Sequence, residues 1–248
     1  PRLVSIKAGT KVNVVPGKAK AAVEGFEMAA LEKAAAETKE ETGISFELAA
    51  EGTVTEITAT GIGAHASTPD VGNNALTGLL VFLGKLDFAS CPQVDMVRKT
   101  ASLFPHGDVN GKTLGVAMED ELSGNLTLSF NMLSVDAASM DGEFDGRIPV
   151  CGNDENVLEV VRARMAEQVL TLLNKALIPP HHVSADSYFV KTLLAAFELY
   201  TGRKGECQAL GGGTYVHHLE NGVAFGAAMP ETDNKMHGPD EFAVVDEL

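Results

Sequence analysis

The stretch GIGAHASTPDVGNNAL, residues 61–76, holds a single imidazole, His65, among small residues. Gly63, Ala64, Ala66 and Ser67 let another surface come close, and Thr68-Pro69-Asp70 has the composition of a turn. A ring held there could donate an N–H to an oxyanion forming on a bound substrate, a contact worth about a hundred- to thousandfold in rate. The competing role is a loop histidine or a helix-cap contact. A second stretch, LGGGTYVHH (210–218), matches neither a Walker A loop nor GxGxxG. Gly211, Gly212 and Gly213 permit close approach of backbone N–H groups to a ligand, or make a plain flexible turn. His217 and His218 are adjacent, so in an extended chain they point to opposite sides and do not readily chelate one metal. A third, DNKMHGPDEF (233–242), offers His237 as a metal ligand with Asp240 and Glu241 as carboxylates behind it. Arg147, in GEFDGRIPV, suits bidentate capture of a carboxylate or an ordinary surface ion pair. Asn13, in KVNVVP, could bond a substrate or pair within a sheet. Glu119, Asp120 and Glu121 form an acidic turn with the composition of a solvated loop. HExxH, HxH and paired-cysteine motifs are absent, so the sequence as given cannot complete a metal site by itself.

The elements that must position these groups can be read from periodicity. Residues 3–24 alternate around Gly9 and Pro16-Gly17, which predicts two strands and a turn. Residues 27–42 predict a helix stopped by Gly43, and 44–50 with 53–61 a hairpin turning at Glu51-Gly52. Leu76, Leu79, Leu80 and Leu83 fall on one helical face. Residues 1–86 thus form an α+β lobe. A second stretch repeats the pattern: a helix over 92–104 begun by Pro92, strands at 114–118, 125–133 and 143–150, and a long helix over 154–174. Pro179-Pro180 marks a break, with a boundary near 184. Beyond it, Asp186 or Ser187 caps a helix that turns Val190, Leu193, Leu194 and Phe197 inward, followed by the glycine loop and a strand at 223–226.

Composition narrows the function classes. Of 248 residues, 34 are acidic and 19 basic, a formal charge of -15 that disfavours nucleic acid and anionic membrane as partners. Cys91, Cys151 and Cys207 are odd in number and lack CxxC spacing, which fits reduced, packed thiols in a cytoplasmic protein. The longest apolar run is far too short for a membrane span. The chain begins Pro1-Arg2 with no initiator methionine, and the expectation is a piece of a longer polypeptide.

Taken in order, TKVNVVPGKA, TGIGAHASTPDVGNNAL, MEDELSGNLTLSF, GRIPV, HVSADSYFVKTLLAAFELYTGRKGECQALGGGTY, NGVAFG and MHGPDE resemble the dizinc peptidase family of PepV-type dipeptidases, whose relatives include carnosinases, glutamate carboxypeptidases and acylamino-acid deacylases. The resemblance covers nearly the whole chain, and AHASTP and GGGTY are its specific segments. It implies a two-lobed α+β lid over residues 1–184 and the C-terminal part of an α/β catalytic domain over 185–248. By the same resemblance His65 is the lid histidine that stabilises the oxyanion, Asn13 and Arg147 hold the substrate, Gly212 and Gly213 line its cleft, and His237 is the last ligand of two zinc ions. The two lobes would imitate a dimer contact, so a monomer acting on dipeptides is expected. The family's other metal ligands and its glutamate base would precede Pro1, which implies that this chain alone is inactive. His217 stands where these dipeptidases commonly carry the arginine of GGGTYAR. The alternatives are a non-catalytic binding module and an N-acyl amino acid deacylase of the same family.

Overall fold

The computed structural model describes residues 1–226, 229, 231–232, 234–235 and 240–247. The chain divides into two compact units, Pro1–Pro180 and His181–Leu248. The fold class is α+β, built on antiparallel pairing.

In the first unit, β1 (Arg2–Ala8), β2 (Val14–Val15) and β3 (Lys18–Glu24) precede helix α1 (Met28–Thr42). Gly43 ends α1 in the left-handed conformation, its N–H bonded to the Lys39 carbonyl. The hairpin β4 (Ser45–Glu51) and β5 (Val54–Thr60) leads to β6 (Ala64–His65), then α2 (Ala75–Gly84) and α3 (Pro92–Leu103). A short hairpin, β7 (Glu119–Asp120) and β8 (Gly124–Asn125), precedes the long strands β9 (Thr127–Val135) and β10 (Met140–Arg147), and α4 (Glu159–Glu167) closes the set. The main sheet has the order β10-β9-β1-β3-β5-β4, so strands from both stretches of the sequence share one sheet.

Alternation decides which face of that sheet is dry. Ala19, Ala21 and Val23 of β3 and Ile57 and Ala59 of β5 are buried, while Lys20 and Glu56 pair across the open face at 2.6 Å. Helix α2 lies against β3, β5 and β9, with α1 and α3 beside it. It is buried nearly all round, not on one stripe, because three layers of neighbours enclose it. Its closest approach is at Gly78, where an added Cβ would sit 2.4 Å from Cγ1 of Ile44. Aromatic contacts fill the ends of the core: Phe46 stacks on Phe82, and Phe104 on Phe130, with centroids 4.9 and 4.6 Å apart.

Four sequence expectations are corrected. Residues 114–118 are not a strand. Leu114 and Val116 are buried, but they sit in turns whose N–H groups, at Asn110, Lys112 and Thr113, are gathered by Asp108. Their alternation reports burial, not extension. The helix expected over 154–174 ends at Glu167. It opens with a π-turn over Asp154–Leu158 capped by Asn153, and Val169 takes φ 63 as the chain reverses. The reversal lets Leu170, Leu172 and Leu177 pack against the core, which outweighs the strain of a β-branched residue at positive φ. Residues 223–226 form no strand. All three cysteines are free thiols, but only Cys91, half-buried, packs against the core; Cys151 and Cys207 are exposed and not packed as expected.

In the second unit, helix α5 (Tyr188–Thr201) is capped by Ser187, whose hydroxyl accepts from the Val190 N–H, and ends at Gly202. Val190 alone of its inward residues is fully buried. Leu193, Leu194 and Phe197 are half-buried, and Tyr188, Phe189, Leu199 and Tyr200 stand exposed.

Two outcomes are expected from this packing. Gly78→Ala should destabilise the protein by about 1–3 kcal/mol in urea unfolding, despite alanine's better helix propensity, because the methyl has no room against Ile44. His106 joins three elements: its Nδ1 lies 2.9 Å from the Thr77 hydroxyl, and its ring bonds the Thr42 backbone. Burial pulls its pKa below the ordinary value, against the opposing pull of Thr42 and Glu41. A lowered histidine pKa means the unfolded chain binds more protons near pH 6, so this stabilisation is whole above about pH 6.5 and is lost as pH falls through the folded value. Urea midpoints measured across that range should drop for the natural protein and flatten in His106→Gln.

Candidate functional site

His65 sits on a ladder of only two residues a side. β2 and β6 pair antiparallel with Val14 opposite His65 and Val15 opposite Ala64. Backbone contacts around the ladder hold it. The Ala66 N–H bonds the Asn13 carbonyl at 3.0 Å, Gly61 N–H bonds Gly17 O at 2.9 Å, and Ile62 and Asn73 exchange two bonds at 2.8 and 2.9 Å. The approach is tight enough that a Cβ at Gly61 would lie 2.1 Å from the Asn73 oxygen. Pro69–Val71 forms a single 3₁₀ turn, and Asn74 caps α2 by accepting from the Leu76 and Thr77 N–H groups. The other amide group of Asn74 reaches across to donate to the Phe130 carbonyl of β9 at 2.8 Å.

The ring itself is oriented by Ser67. The Ser67 N–H points at His65 Nδ1 at 3.2 Å, and the Ser67 hydroxyl lies 2.7 Å from the same nitrogen. An N–H aimed at Nδ1 makes that nitrogen the acceptor, which puts the neutral ring's proton on Nε2. His65 is half-buried, between buried Ala66 and exposed Gly63. The arrangement therefore holds the ring of His65 by its Nδ1 on the β2/β6 ladder. Ser67 was legible only as a small neighbour; the signal was its position two residues after the histidine.

Asn13 lies in the turn before β2, half-buried, its carbonyl bonded to Ala66. The structure brings Asn13 and His65 together. Arg147 ends β10, opposite Thr127 of β9. Its Nε and Nη2 donate to the two carboxylate oxygens of Asp145 at 2.6 and 2.8 Å, a side-on pair with both partners mostly buried. Asp145 was not foreseen as Arg147's partner, and any anion at Arg147 meets a guanidinium already partly neutralised. Beyond Arg147 the chain is pinned again. Asp120 accepts from the Leu122, Ser123 and Cys151 N–H groups, and Ser123 Oγ accepts from the Val150 N–H. The acidic turn at 119–121 is thus a clamp on the segment after Arg147 and not merely solvated surface. These bonds, the Ser123 N–H above all, hold Asp120 far below the usual carboxylate range.

In the second unit, Gly212 and Gly213 lie in an exposed bend with open space where side chains would be. His217 is half-buried in the 3₁₀ turn Tyr215–His218, not in an extended segment. Its ring centroid is 5.6 Å from that of His181 and 5.8 Å from that of His218. His237 lies outside the described residues. Among the described residues, no group of three or more His, Cys, Asp or Glu side chains could hold a metal ion, so they do not fit a dizinc centre. Also among them, no helix is long and apolar enough to cross a membrane.

Fold and site together define an α+β unit that carries an oriented histidine on one small ladder, an asparagine in the turn leading into it, and an ion-paired arginine at the end of the β9–β10 strand pair. The chain is 34% identical over 251 residues to the Beta-Ala-Xaa dipeptidase of Lactobacillus delbrueckii subsp. lactis. It is 32% identical over 250 residues to the putative dipeptidase YtjP of Bacillus subtilis (strain 168), and 27% identical over 249 residues to a putative dipeptidase of Staphylococcus epidermidis. Each match covers 99% of this chain and 52% of the relative, so the chain spans about half the length of these curated relatives. No protein-family model matches it.

The clamp makes a chemical prediction. Partial desolvation of its sulfur beside the clamp, then the hydrogen bond and charge of the neighbouring Asp120 carboxylate, push the Cys151 thiol above its ordinary pKa. Removing that charge with Asp120→Asn should speed alkylation of Cys151 at neutral pH, followed by mass spectrometry with Cys207 as the internal reference.

Proposed function

We propose that this chain is the substrate-holding part of a dipeptidase. The observation that carries the reading is the Ser67-oriented His65, set beside Asn13 on the β2/β6 ladder. The dipeptidases named above, similar along 99% of the chain, support it. In this reading residues 1–184 act as a lid and 185–248 belong to a catalytic domain. The exposed Tyr188, Leu199 and Tyr200 of α5 suit a helix that packs on further structure. The reaction would be hydrolysis of a dipeptide by a monomer, with two zinc ions supplying the activated water. The described residues offer no centre for them, so the zinc ligands are assigned elsewhere, with His237 as the one this chain contributes.

What this chain's own residues do can be stated without the metal. As the peptide carbonyl is attacked, charge grows on its oxygen. His65 Nε2–H donates to that oxygen, and the donor needs no reorganisation because Ser67 has already fixed the tautomer. Asn13 bonds the substrate backbone. Arg147 meets the C-terminal carboxylate, at an affinity moderated by Asp145. His217, which stands where the resembled dipeptidases carry an arginine, would bear on selectivity.

The test is kinetic. In the complete protein, His65→Ala should lower kcat on dipeptides by about two orders of magnitude or more, with a modest change in KM. An unchanged kcat rejects the role. A complete natural protein that hydrolyses no dipeptide would make this a binding module instead.

A further inference from the structure

The β9–β10 ladder contains one extra residue. Glu143 is opposite Met132 but Phe144 is opposite Phe130, so Asn131 has no partner and forms a bulge in β9. The bulge inverts the phase of the strand. Leu128 and Phe130 are buried before it, Leu133 and Val135 after it. Asn131 is itself completely buried. Its Nδ2 donates to the Val12 carbonyl at 2.6 Å and to Ser129 Oγ at 2.9 Å, while its Oδ1 has no hydrogen-bond partner.

A buried amide with an unanswered oxygen costs stability, so its retention points to what the donor half does. Val12 directly precedes Asn13. The same loop begins at Gly9, where an added Cβ would lie 2.0 Å from the Asn131 carbonyl oxygen, so loop and bulge fit backbone to backbone. The next carbonyl along β9, that of Phe130, is held by Asn74, at the far end of the His65 segment. Two side-chain amides thus tie both ends of the Asn13/His65 ladder to a single point of β9. Four residues back along that strand, Thr127 faces Arg147.

We propose that Asn131 is a positioning residue: its bulge fixes the loop bearing Asn13, and through the Asn13–Ala66 bond the His65 ladder, against the strand pair bearing Arg147. As a statement about substrate alignment this rests on the dipeptidase reading; as a statement about the loop it does not.

Hydrogen exchange on the 248-residue chain separates the two. Asn131→Ala should raise amide exchange at Ala66 by about tenfold or more, while Ala21 and Ile57 in the β3–β5 ladder keep their protection. Ser129→Ala, which leaves the Val12 bond intact, should change neither. If Asn131→Ala does not fold, Asn131→Ser is read in the same way. Unchanged exchange at Ala66, or an equal loss of protection throughout the sheet, overturns the proposal. In the complete protein, Asn131→Ala should lower dipeptide kcat/KM by about tenfold or more, with normal values for Ser129→Ala. Loosened Ala66 with undiminished hydrolysis overturns the positioning role. A natural protein without hydrolysis refutes the dipeptidase reading alone, and the exchange result still decides whether Asn131 holds the loop.

Discussion

A two-residue ladder has too few bonds to hold a side chain still, yet His65 stands on one. Everything around it compensates for that shortage. The backbone of the His65 segment is pressed against two other strips of backbone, at Gly17 and at Asn73, where side chains would not fit. Each contact supplies hydrogen bonds that the ladder is too short to make itself. The small residues of GIGAHAS therefore have a structural cause. They let the chain touch its neighbours backbone to backbone.

Backbone contact fixes position but not register between distant elements. That falls to side-chain amides. Asn74 and Asn131 both bond main-chain carbonyls, and a carbonyl offers a directional acceptor that apolar packing lacks. The main sheet can afford a bulge in β9 because α2 and α3 supply the dry face beneath it, and the stacked Phe104 and Phe130 fill the space on the core side. Elements that look redundant in the topology thus carry a local irregularity that a regular sheet would erase.

Much of this was legible in sequence. The helices at 28–42, 75–84 and 92–103 and the 45–60 hairpin follow from period and punctuation, since local propensity and burial agree there. The misreadings fall where they disagree. Leu114 and Val116 are core residues in a turn, and Leu170 and Leu172 are core residues past a helix end; apolar pattern reports burial, and burial does not specify backbone. His65 was found because a titratable ring among small residues is conspicuous. Its orienting partner Ser67, Arg147's partner Asp145 and the anchor Asn131 were not, because each is ordinary in composition and acquires its role only from what the fold places opposite. Even so, TLSFNMLSV carries the bulge in plain view. Its large apolar residues, Leu128 and Phe130 before Asn-Met and Leu133 and Val135 after it, keep a period of two on either side and fall out of phase across it.

The same contrast bears on how charge would be stabilised at this site. A donor aimed at a growing negative charge is effective in proportion to how little it must move when the charge appears. In the proposed role His65 would meet that condition through a serine two residues away and a ladder closed by backbone bonds. Arg147 meets the opposite condition: its guanidinium is committed to Asp145, so an arriving carboxylate must share it. In the proposed reaction the oxyanion donor is fully prepared and the carboxylate holder is attenuated. That combination favours the transition state over the bound ground state, because the interaction that grows during reaction is strong and the one made equally in both states is weakened.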